Sequence, residues 1–151
     1  MNIAEELAGH PFCAAMTSEQ QAKLANCARQ QSFRKGEFLL LQNSQAEAFF
    51  LIMEGQVEIK VAQVSPGEAP LETLGAGEAV GWSWYLPPYR WHFDAVACQP
   101  TRVIAFDADC LRSLMAKDHD VGYAVTSRLL EVVAQRLQAT RLQLSDVYGT
   151  V

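Results

Sequence analysis

The sequence predicts a mainly β protein: an antiparallel β-roll or jelly roll, a double-stranded β-helix, with helices before it and one long helix after it. Three observations predict this. Between Ser32 and Asp107, short apolar or alternating runs follow one another, separated by turns that carry Gly or Pro. On either side of that stretch the apolar residues recur at helical spacing. Composition completes the picture, since 151 residues, half of them apolar and 19% charged, suit one globular domain with a sizeable core. The expected boundaries are a helical lead-in over 1–31, the roll over 32–107 and C-terminal helices over 109–148, all within a single domain spanning 1–151.

Thr17 or Ser18 caps the lead-in helix, with Glu19 and Gln20 in its first turn. Phe33, Gly36 and Phe38 then mark a turn before the buried run that ends at Leu41. Ala48 to Val64 reads as a buried strand, a turn at Glu54-Gly55 and an alternating strand through Val57, Ile59 and Val61, which is a hairpin signature. Ser65 to Pro70 is a loop, Leu71 to Leu74 a short strand, and Gly75 to Gly77 a turn. Phe93 to Ala97 and Thr101 to Asp107 are two more strands joined at Gln99-Pro100. A short helix follows from about Asp109 to Met115, and a long one from about Asp118 to Val147.

The long helix carries two apolar rows. Tyr123, Leu130, Leu137 and Leu144 share one heptad position, and Thr126, Val133, Thr140 and Val147 the other. Val125, Leu129 and Val132 lie on an adjoining face that can pack on the roll. A helix of this length, about 45 Å, cannot lie wholly on a small roll. The heptad rows therefore predict a parallel two-helix seam in a homodimer, with Tyr123, Leu130, Val133, Leu137, Thr140, Leu144 and Val147 at the interface. Arg128, Arg136 and Arg141 read as the solvated flank of that seam.

Net charge is -5, which argues against an isolated nucleic-acid binder. No apolar run reaches the roughly 18 residues of a membrane span, and the N-terminus lacks the pattern of a signal peptide. Cys13, Cys27, Cys98 and Cys110 stand singly, which suits four reduced thiols in a cytoplasmic protein.

The densest chemistry lies between Gly81 and Ala97, in GWSWYLPPYRWHFDAVA. All three tryptophans (Trp82, Trp84, Trp91) are here, with Tyr85, Tyr89, Arg90, His92 and the Pro87-Pro88 pair. Pro-Pro excludes a helix or central strand, so a loop must carry these rings. Such a loop either lines a ligand pocket or plugs the core beneath it. The candidate ligand-binding residues are Gly81, Trp82, Ser83, Trp84, Tyr89, Arg90, Trp91, His92 and Thr140.

The order of elements resembles the cyclic-nucleotide-binding domain of Crp/Fnr-type regulators. Phe33, Gly36 and Glu37 resemble that family's F-x-x-G-E, and Phe49 to Val57 its strand-turn-strand core. Leu74, Gly77 and Gly81 resemble the turn and loop glycines, and Ala95, Ala97 and the strand through Ile104 the segment after the loop. Arg136 to Thr140 (RLQAT) is close to the family's dimer-helix segment, in which a threonine reaches the ligand's base. The resemblance implies a ribose-binding glutamate after the loop glycine and a phosphate-binding arginine further on. Here those positions hold Trp82 and Trp91, with Arg90 one residue away. Trp offers neither a charge nor a hydrogen-bond acceptor, so ordinary cyclic AMP binding is not expected. A turn glycine of the family is replaced by Asn43, which tolerates the left-handed conformation. Transcriptional members continue into a helix-turn-helix. Since the sequence ends at Val151 just after a hinge-like SDVYG, the expectation is no DNA-binding domain and no DNA binding by this chain alone.

The roll also resembles cupins, but His10, His92 and His119 are too scattered for a cupin metal site, so neither metal nor cofactor is expected. No paired nucleophile and base is present, so an enzyme is not expected either. The reading is a sensor module with an altered pocket and a possible small-molecule ligand. The alternatives are a ligand-free scaffold that docks another protein, and a cyclic-nucleotide binder that uses Arg90.

Overall fold

The computed structural model describes residues 2–61 and 71–148, with side chains to residue 142. Asn2 caps α1 (Ile3–Gly9), its side chain accepting from the Glu5 N–H. Thr17 and Gln20 form a reciprocal capping box on α2 (Ser18–Ala25), so the N-cap expected at Thr17 is where the helix starts.

Eight strands follow: β1 (Ala28–Phe33), β2 (Phe38–Leu40), β3 (Ala48–Glu54), β4 (Gln56–Lys60), β5 (Glu72–Gly75), β6 (Ala79–Val80), β7 (Asp94–Ala97) and β8 (Thr101–Asp107). They build two antiparallel four-stranded sheets, ordered β1-β8-β3-β6 and β2-β7-β4-β5. Two helices close the described chain, α3 (Ala108–Lys117) and α4 (His119–Tyr148). This is the roll that the turn spacing predicts, with the expected helices on both sides.

Three details differ from expectation. The helical lead-in does not extend to residue 31, because β1 begins at Ala28 as an edge strand whose polar ARQQ start hides the alternation. The Gly55 turn does not close a hairpin: β3 and β4 lie in different sheets, so the turn carries the chain across the roll. Gly55 has φ +104°, and a Cβ there would collide with Pro100 O and Thr101 at the parallel crossing from β7 to β8. Finally, the cysteines are not all free. Cys27 and Cys110 form a disulfide that ties the start of β1 to the first turn of α3 across 83 residues, leaving Cys13 and Cys98 as thiols. Single spacing along the chain carries no sign of a pair that only the fold brings together. In the chain-entropy model such a closure removes about 4–5 kcal/mol of denatured-state freedom. The expected Ser65 to Pro70 loop lies outside the described residues.

Strand register fixes two faces on the first sheet. Phe33 and Phe50, whose rings meet edge to face at 6.1 Å, look into the roll. Across from them the second sheet presents Val57, Ile59, Leu74, Ala95 and Ala97, all buried. Phe49, Leu51, Ile104 and Phe106 occupy the opposite face, which is also buried. There Phe12, from the segment between α1 and α2, meets Phe49 at 5.2 Å. Val125 and Leu129 of α4 are buried as well, and Val132 packs partly against the core, so the stripe expected to face the domain does so.

Candidate functional site

The aromatic loop, residues 81–93, runs from β6 to β7. Gly81 opens it at φ +75°, and a Cβ there would penetrate the Trp91 ring. Only glycine permits both the backbone turn and that approach. Trp82 to Tyr85 make a tight turn, with the Tyr85 N–H donating to Trp82 O (3.0 Å). The exposed tip holds a cis Pro87-Pro88 bond, followed by Tyr89 at φ +58°, a sparsely populated conformation for an aromatic residue. The Tyr89 carbonyl accepts from Ala46 N–H (2.7 Å), and Trp91 exchanges backbone hydrogen bonds with Asn43 and Ser44 (2.9 and 3.0 Å). Asn43 takes the left-handed conformation expected of it, at φ +72°.

The three tryptophans part company. Trp84 is fully buried on the helix side of the first sheet, 4.9 Å from the Phe49 ring. Trp91 is buried inside the roll, against Gly81 and 6.1 Å from Phe93. Trp82 is half-buried and faces α4, where the Arg136 guanidinium lies 5.3 Å above its ring. The loop thus divides between plugging and lining: Trp84 fills a core layer, Trp91 is buried yet lines a cavity at the edge of the roll, and Trp82 lies against α4 under Arg136.

Of the other expected site residues, Ser83 is buried, and His92 is exposed at the surface. Arg90 does not point into the domain; it is exposed, and its Nη1 donates to Asn43 O (2.8 Å), tying the loop to the β2–β3 connection. Thr140 is exposed on α4, its hydroxyl donating back to Arg136 O (2.9 Å). Tyr123, Leu130 and Leu137 stand on the outer face of α4 at 78%, 68% and 50% exposure. Val133 is half-buried, while the Leu144 and Val147 side chains lie outside the described residues.

Two arginines of the expected solvated flank turn inward. Arg136 is not a solvated flank: its side chain is only 15% exposed, donates to Ala79 O, and stands 3.5 Å from Glu72 Oε2. Burial lowers its pKa, opposed by the Glu72 and Glu78 carboxylates. Arg128 likewise turns inward, its Nε donating to Phe12 O (3.2 Å). The signal was present, because Arg136 continues the row Val125, Leu129, Val132 at helical spacing. Arg112 of α3 adds a third tether, donating to Trp84 O and stacking 4.3 Å from the Tyr89 ring. Tyr85 Oη meets Thr126 Oγ1 at 3.2 Å. Between the roll and α4 lies a cavity of about 370 Å³, lined by Phe12, Glu72, Glu78, Arg128, Val132 and Arg136 among others. Two guanidiniums and two carboxylates thus line one cavity beside the Phe12 ring, Arg136 paired with Glu72 and Arg128 with Glu131. Among the described residues no cluster of three His, Cys, Asp or Glu side chains could hold a metal.

A family model described as the cyclic nucleotide-binding domain matches residues 30–118. The chain belongs to the cyclic-nucleotide-binding-domain family. That match covers the roll from Gln30 in β1 onward, the aromatic loop and α3, and ends where α4 begins. A structure of a putative cyclic nucleotide-binding protein from Geobacter metallireducens superposes with a TM-score of 0.81 at 26% identity, over 91% of this chain and 99% of that one. The catabolite activator protein of Thermus thermophilus shares the fold, with a TM-score of 0.71 at 22% identity over 91% of this chain and 63% of that one. A cGMP-dependent protein kinase of Drosophila melanogaster is 25% identical over 129 residues, 80% of this chain. This chain spans 17% of that kinase's length. The fold and family are thus those of cyclic-nucleotide-binding domains, as the residue pattern implies.

Proposed function

We propose that this domain is a non-enzymatic ligand-sensing or regulatory module that no longer takes cyclic AMP in the family's usual way and that acts as a homodimer through α4. The observation that carries the proposal is the latch between loop and helix. Arg136 covers Trp82 while bonded to Ala79 O and paired with Glu72, so the strand that enters the loop, the loop itself and α4 share one buried cation. A ligand that displaced this guanidinium would alter the loop and the helix together. Dimerisation is supported by the outward row Tyr123, Leu130 and Leu137, large apolar groups left uncovered on a helix whose opposite face is buried.

Cyclic nucleotides are disfavoured because the loop offers the phosphate no inward cation: Arg90 is spent outside on Asn43 O, and Trp91 fills the roll beside Gly81. Losing a charge-assisted contact to a buried phosphate costs about 2–5 kcal/mol. The module's expected setting is the cytoplasm, and among the described residues no helix is long and apolar enough to cross a membrane. In a reducing compartment Cys27 and Cys110 would stand as adjacent thiols. DNA binding is not assigned to this chain alone.

Calorimetry with cyclic AMP and cyclic GMP tests the ligand claim. The expected result is no binding in the micromolar range. Micromolar binding that Arg90→Ala abolishes would replace this reading with the Arg90-dependent nucleotide binder.

A further inference from the structure

A cavity of about 590 Å³ lies not in the cleft at α4 but at the opposite edge of the roll, where β1 and β2 leave the two sheets apart. We propose that it is a second binding site, for a small zwitterion with an aromatic body, in chemical terms a free aromatic amino acid or a close analogue. The inference goes beyond the regulatory reading and does not depend on it.

The register makes the case. Phe33, Gln31 and Arg29 alternate along β1 and share the face that looks into the roll. A sandwich strand normally carries apolar side chains on that face. Phe33 obeys, being buried against Phe50, but the row then turns polar as it reaches the cavity. Asp107 stands on the same face, two residues along β8 from Ala105, the cross-strand partner of Arg29. Such diagonal neighbours lie about 7–8 Å apart. A long side chain can span that gap, yet among the described residues no ion pair joins Arg29 to Asp107 or Glu47. Among the described residues the Arg29 guanidinium donates only to Gln31 Oε1 (3.3 Å), and Asp107 uses one oxygen to cap α3 at the Cys110 N–H (2.8 Å). A second carboxylate, Glu47, completes the rim.

Below these charges the lining is apolar, with Leu40, Phe50 and Trp91 buried at its base. The volume falls within the range of small-molecule pockets. An aromatic ring would lie on Trp91 and Phe50, a carboxylate would reach Arg29, and an ammonium would reach Asp107 or Glu47. A cyclic nucleotide fits poorly, since its phosphate would face two carboxylates and a single guanidinium.

Three probes with one aromatic body separate these terms: L-phenylalanine, phenylacetate and phenethylamine, titrated calorimetrically into the intact chain. L-phenylalanine should bind saturably, and each singly charged analogue should bind about tenfold more weakly or worse. Arg29→Gln should lose that factor for L-phenylalanine while leaving phenethylamine binding unchanged, which also shows that the variant is folded. Absence of saturable L-phenylalanine binding at millimolar concentration would overturn the proposal. So would equal affinity for the three probes, or indifference of L-phenylalanine to Arg29→Gln. A change in cyclic-nucleotide response bears on the α4 cleft and leaves this test untouched.

Discussion

Single residues explain how this loop can be both core and cleft. Gly81 admits Trp91 into the roll, and the divided placement of Trp82, Trp84 and Trp91 follows from which layer each backbone position faces. His10 shows the same logic in a residue that carries no functional role. It is buried, its Nδ1 accepts from the Phe12 N–H (3.1 Å) and its Nε2–H donates to Ile52 O (3.1 Å). Those contacts fix the neutral tautomer, and burial lowers the pKa from 6.5, with the Arg128 charge lowering it further. In the unfolded chain His10 therefore takes up a proton near pH 6.5 that the folded chain resists. The stability this group contributes is full above that pH and is lost as pH falls toward the folded pKa. Urea midpoints of the wild type should drop between pH 7 and pH 5 more steeply than those of His10→Gln; parallel slopes would contradict it. Sequence reading saw His10 only as a scattered imidazole, because the Ile52 carbonyl that binds it is 42 residues away.

At the scale of elements, α4 was the most readable part of the chain. Its apolar period gave both a domain-facing stripe, now seen buried, and an outward row, now seen exposed. What that reading lacked was the side to which a charged residue belongs. Arg136 sits in the next slot of the buried stripe, and the Glu72 carboxylate, the Ala79 carbonyl and the Trp82 ring opposite make the slot tolerable to a guanidinium. The misread hairpin at Gly55 has a similar cause. Alternation marks strands and glycine marks a turn, but neither says whether the turn joins neighbours in one sheet or crosses to the other. The outward row carries its own prediction. Leu137→Lys would set an ion against its own copy at the centre of the two-fold seam, so sedimentation at tens of micromolar should show wild-type dimers and variant monomers. A monomeric wild type would remove the dimer.

At the scale of the whole molecule, element order and turn spacing carried the fold, since a roll between helices is dictated by local pattern. The site was legible in part: the loop stood out by composition, whereas its tethers come from α3 and α4, distant in sequence. Arg112, Thr126 and Arg136 reach Trp84 O, Tyr85 and Trp82 respectively, so the loop is pinned to both C-terminal helices. The central claim is that loop and α4 form one mechanical unit. Hydrogen exchange of the intact protein, wild type against Arg136→Gln, tests it most directly. Unlatching should speed exchange in residues 82–90 and in α4 residues 126–136 together, with the central strands β3 and β8 unchanged as the internal reference. Faster exchange in α4 alone, or none in either segment, would contradict the account.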